Sequence, residues 1–150
     1  MKQAGSMRMA KGTVAAAALG GAASKVFEFD GQIRRVKALS NATSQEFEKM
    51  KGKAIELGST TAFTSTQAAQ GMEYLALAGF KTNEIMEAMP GLLDLAAASG
   101  EDLGMVSDIV SDNLTVFGLK AQDTGRLADV MAKTAASSNT NVAMLGEAFK

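Results

Sequence analysis

The sequence predicts an all-α protein: an irregular bundle of short amphipathic helices preceded by a looser helical N-terminal arm. Three observations carry this expectation. Alanine, leucine, methionine, glutamate, lysine and glutamine dominate the chain, and all of these favour helix. No run of strand length alternates apolar and polar residues. Between Leu57 and Phe117 each helical stop signal is followed within a few residues by a start signal. The 150 residues fit one domain with enough chain to bury a core. Aromatics make up only 5% of them, so large anchors are few and helices must pack closely.

The elements follow in order. Residues 1–12 are polar and basic, and residues 13–24, TVAAAALGGAAS, are small and apolar. Together they resemble a signal peptide superficially, but the apolar run is mostly alanine and glycine. It is also short of the roughly 20 residues that a bilayer core of about 30 Å demands. Small residues at Ala16, Gly20 and Ser24 recur every four positions, a spacing that lets helices approach closely. Phe27, Phe29, Ile33, Val36 and Leu39 then give a partial apolar stripe, which SNATSQE breaks. The arm is therefore placed at residues 1–39 and the helical core at 40–150.

Thr43 and Glu46 have capping-box spacing and open a helix with Phe47, Met50, Ala54 and Leu57 on one face, ended by Gly58. Thr64 and Gln67 repeat that spacing before Ala68, Ala69, Met72, Leu75, Ala76 and Ala78, with Gly79 as the stop. Thr82 or Asn83 caps a short helix through Ile85, Met86 and Met89. Pro90 closes it, because the residue before proline is disfavoured in the helical region. A new helix is expected over 91–98, with proline in its first turn and Gly100 as its end. From about Glu101, Leu103, Val106, Ile109, Val110, Leu114 and Phe117 share one side of a longer helix that Gly118 ends. Asp123 or Thr124 caps the next, with Leu127, Val130, Met131 and Thr134 inward. SSNTN at 137–141 is a turn, and Thr140 or Asn141 opens a last piece with Val142, Leu145 and Phe149.

Composition removes several chemistries. With no cysteine and no histidine there are no disulfides, thiolates, sulfur- or imidazole-ligated zinc sites, or histidine acid–base steps. Asp108 and Asp112 lie one turn apart, but a hard cation wants more oxygens, and their apolar neighbours mark them as the solvated face. Glu84, Glu87 and Asp94 have no evident nucleophile or base beside them. Tyr74 suits a packing boundary. ALGGAAS lacks the lysine of a phosphate loop. No catalytic, cofactor-binding or metal-ligating residue is assigned, and no cofactor is expected. The net charge of −1 hides an asymmetry: residues 1–53 carry +6 and residues 54–150 carry −7. The bases are dispersed, so a solvated helix surface is favoured over a specific nucleic-acid ligand. Ten methionines supply adaptable apolar surface, chiefly for core packing.

Several segments resemble, in order and at the expected spacing, the core region of phage tail tape measure proteins. They are STTAFTSTQAA, YLALAGFKTNEIMEAMPGLLDLAAASGEDL, DIVSDNLTVFGL and DTGRLADVMAKTAASSNTNVAMLGEAFK. The resemblance covers roughly residues 40–150 and stops at Lys150 in mid-helix, which suggests a fragment or truncated copy. It implies a non-enzymatic structural protein that fills the tail tube lumen, sets tail length during assembly and leaves the tube during genome ejection. Its implied partners are the tail tube protein, tail assembly chaperones, tail tip or baseplate proteins, and further copies of itself, with membrane contact during ejection. Its implied location is the virion tail, and the host cytoplasm during assembly. The residues expected to pack or to meet partners are Met72, Leu75, Phe80, Leu103, Val106, Val110 and Phe117. Alternative readings are a helical partner-binding or chaperone-like module that nucleates assembly, and a membrane-active helix resting on residues 13–29 alone.

Overall fold

A computed structural model describes the backbone of residues 2–149 and the side chains of residues 20–149. Within them the chain forms α1 (Lys2–Ser40), α2 (Ser44–Thr60), α3 (Ser65–Leu77), α4 (Thr82–Ser99), α5 (Leu103–Val116), α6 (Thr124–Ser137) and α7 (Val142–Ala148), with a 3-10 turn at Ala121–Asp123 before α6. No strand occurs among the described residues. The protein is all-α, a bundle of helices as its sequence predicts.

Local chemistry sets the helix starts. At both α2 and α3 the threonine hydroxyl accepts from the backbone N–H three residues on, and the Glu46 or Gln67 side chain accepts from the threonine N–H. Asp102 and Asn141 cap α5 and α7 through their side-chain oxygens. The ends of α1, α3 and α5 share one device. Asn41, Gly79 and Gly118 take positive φ, and the next residue donates its N–H five residues back, Ala42 to Lys37, Phe80 to Leu75 and Leu119 to Leu114. Ala42, Phe80 and Leu119 then fold back against the core.

The Thr43 N–H and hydroxyl, helped by Lys49, hold the Glu46 carboxyl below its ordinary range. A depressed carboxyl stabilises the fold above the unfolded-state value and loses that contribution as pH falls through the folded-state value. Amide exchange over residues 43–47 is therefore expected to quicken selectively in mild acid. In Glu46→Gln that acid response should vanish; its persistence would assign it to another group.

α3 is the hub, in contact with α1, α2, α4 and α5. Ala68, Ala69, Met72, Leu75 and Ala76 are all buried, and the small alanines let neighbouring helices close on more than one side. α1 lies along α3 through Ile33 and Val36, both fully buried, and Gln32 donates to Glu73 of α3. Lys37 of α1 rests over the Phe47 ring of α2 at 5.0 Å. The break at residues 41–43 is thus a turn that the core crosses. Residues 20–28 of the same helix are exposed. Ala16 lies outside the described side chains, while Gly20 and Ser24 face solvent. Among the described residues no helix is long and apolar enough to cross a membrane.

Four expectations need correction. Pro90 does not end a helix: α4 runs unbroken from Thr82 to Ser99, preceded by Lys81, with Pro90 in its interior. Proline removes one backbone bond there and costs about 3 kcal/mol. Ile85, Ala88 and Met89 before it and Leu92, Leu93, Leu95 and Ala96 after it bury in one core. Each large apolar side chain contributes roughly 1.5–3 kcal/mol, so burial outweighs the break while the ring faces solvent. Gly58 does not stop α2, which continues to Thr60. It is a point of close approach, where a Cβ would meet the Ser65 backbone nitrogen at 2.4 Å. On α6 the inward residues are Thr124, Ala128 and Met131, while Val130 and Thr134 are exposed and Leu127 is half-buried. On α1, Phe27 and Leu39 face outward, as does Ala78 after α3.

Candidate functional site

The carboxylates do not converge. Asp108 and Asp112 stand exposed on the outer face of α5, and Glu84, Glu87 and Asp94 are exposed along α4. Among the described residues no group of three or more acidic side chains is placed to hold a metal ion. What the fold offers instead is surface.

Of the seven residues expected to pack or meet partners, five are core. Met72, Leu75, Val106 and Val110 are fully buried and Leu103 nearly so. Phe80 is half-buried at the end of α3, packed against that core. Phe117 alone is open, at 51% exposure, with its ring edge-on to Phe149 at a centroid distance of 5.4 Å. The first six residues hold the bundle together, and of the seven only Phe117 is open to solvent.

A larger feature lies where α3, α5 and α7 meet. A groove of about 880 Å³ is floored by Tyr74, Ile109, Met105 and Met144 and edged by Asp102 and Asp108. Two glycines shape it. A Cβ at Gly104 would sit 2.8 Å from the Tyr74 ring, and one at Gly146 would sit 2.5 Å from Ile109. The tyrosine can lie flat on α5, and α7 can settle onto Ile109, only because both positions lack a side chain. From sequence alone a glycine inside a helix reads only as a weak point. The position of Gly104 and Gly146 on the buried faces of α5 and α7 was the available signal for close packing.

α5 also buries polar groups that its pattern did not reveal. Ser107 donates to the Leu103 carbonyl and Asn113 Nδ2 donates to the Ile109 carbonyl, each at 2.7 Å. These bonds stay within the helix, so the side chains bury without outside partners. Asn113 Oδ1 is the buried side-chain acceptor left without one among the described residues.

The family described as phage-related minor tail protein matches residues 51–150. A tape measure protein of Pneumococcus phage Dp-1 is 50% identical over 123 residues, which is 82% of this chain and 11% of that relative. The chain thus spans about one ninth of the relative's length. No solved structure matches. The family match takes in the whole of α3 to α7, hub and groove included, and the chain belongs to the phage-related minor tail proteins.

Proposed function

We propose that this chain is a segment of a tape measure protein, a structural component of the tail rather than an enzyme. In this reading it lies in the lumen of the tail tube, helps set tail length during assembly and leaves the tube during genome ejection. The observation that carries the reading is the 50% identity to a tape measure protein, sustained over 123 residues. The fold supports a division of labour. α1 has 39 residues and, at about 1.5 Å per residue, extends close to 60 Å. α2 to α7 fold back on one another and add little length. Tail tube protein, assembly chaperones, tip or baseplate proteins and further copies of the chain are the partners in this reading. A specific nucleic-acid ligand is not among them. Assembly takes place in the host cytoplasm, and a membrane is met during ejection.

A second reading, a module that nucleates assembly, is favoured by the compactness of α2 to α7. One experiment separates the two. Eleven residues are close to three helical turns, so duplicating residues 14–24 in the full-length gene preserves the facing of α1 and adds about 16 Å. Four added copies should lengthen tails by roughly 65 Å, seen by electron microscopy. Tails of unchanged length with normal yield would overturn the ruler role of α1 and leave the nucleating role.

A further inference from the structure

Two surfaces of the molecule are left uncovered by other helices and differ in charge. The first is the outer face of α1. Phe27 is 77% exposed, the most open large apolar side chain among the described residues. Gly31, Arg34 and Arg35 follow at the spacings that place them on its face, and all three are exposed. Arg34 also pairs along the helix with Asp30 at 2.7 Å, a solvent-exposed contact that a second carboxylate can share or replace. This face points away from Ile33 and Val36, which hold α1 on α3. The second is the groove of α3, α5 and α7. Met105 and Met144 in it are 44% and 60% exposed, Asp108 stands on its edge, and Asp112 follows one turn along α5. α1 is one continuous helix to Ser40, so its outer face cannot turn back onto the groove of its own chain. Residues 1–53 carry +6 and residues 54–150 carry −7, so the two halves of different copies attract.

We infer that the groove of one copy receives the Phe27 face of α1 from a second copy, with Arg34 and Arg35 meeting Asp108 and Asp112. It rests on the self-association put forward above and gives that association a surface and a direction. Two different patches meet, so the contact is heterologous, and a pair of copies keeps one free helix and one free groove. Copies therefore add head to tail. The flexible methionines conform to the aromatic ring, and the charges set register and exclude the reversed orientation.

The test uses the whole chain and sedimentation equilibrium, with circular dichroism to verify that each variant is folded. Wild type should associate, more weakly as salt rises. Phe27→Ala should weaken association about tenfold or more, as loss of a central aromatic anchor does. Arg34→Glu/Arg35→Glu should not associate with itself, nor should Asp108→Lys/Asp112→Lys. An equimolar mixture of the two should associate, because each groove then meets a helix of opposite charge. A monomeric wild type would remove self-association itself. Association of both variants at wild-type strength would leave self-association standing and overturn this surface. If the Asp108→Lys/Asp112→Lys variant alone behaves as wild type while the arginine variant fails, α1 pairs with α1 and the groove is not the receptor. Phe27-dependent binding to anionic lipid vesicles by a chain that stays monomeric would make a membrane the occupant and sink the proposal.

Discussion

Gly91→Val should lower stability by roughly 3 kcal/mol, enough to unfold much of a marginal bundle. A Cβ at position 91 would lie 2.7 Å from the Gly125 nitrogen, 2.8 Å from its Cα and 3.0 Å from the Thr124 carbonyl carbon. These are backbone atoms of the first turn of α6, so no rotamer change can relieve the clash. α6 must move off α4, which opens Leu95 of α4 and Ala128 of α6, both buried, to solvent. The same contact gives a test with an internal control. Gly52 lies on the exposed face of α2 with nothing within 4 Å of its ideal Cβ. Gly52→Ala should stabilise by about 0.5–1 kcal/mol, the ordinary gain in a helix interior. Gly91→Ala should go the other way, by about 1–2 kcal/mol, because overpacking exceeds that gain. Urea unfolding of the two variants reads the sign. Stabilisation by both would mean that α4 and α6 do not approach backbone to backbone.

The second large effect is expected at the hub. Leu75 is fully buried on α3, the helix that touches α1, α2, α4 and α5. Leu75→Ala should cost about 3–5 kcal/mol, since helices fixed on several sides cannot collapse into the cavity. Phe117→Ala should cost only about 0.5–1.5 kcal/mol, the worth of one edge-on aromatic contact at a half-open site. Both residues are equally apolar in the sequence and were equal candidates, so the contrast measures what burial adds. Urea midpoints shifted alike by the two substitutions would contradict the placement of α3 at the centre of the bundle.

The candidate surfaces were only partly legible. Phe117 was named from its spacing with Leu114 and is exposed because α5 ends at Val116, leaving it in the turn. Phe27 was expected inward with Ile33 and Val36. On a helix of 39 residues the apolar positions are too sparse to define one face, and α3 selects Ile33 and Val36. On α6, Val130 and Met131 compete for the core, and the close seat of Gly125 on Gly91 rotates α6 so that Ala128 and Met131 win. The groove was not legible, because its floor joins residues from three separate helices.

The amino-acid sequence by itself determined the helical class and most helix ends. Thr43, Thr64, Gly79, Gly100 and Gly118 act on backbone groups within five residues of themselves, so their effect is written locally. The tertiary structure decided whether Pro90 breaks α4, which side of α1 and α6 faces inward, and why glycine stands at 58, 91, 104 and 146. In each case the deciding energy comes from a neighbouring helix. Burial on both sides of Pro90 exceeds the lost hydrogen bond, and the glycines answer to backbones or side chains that the chain brings near only once it has folded.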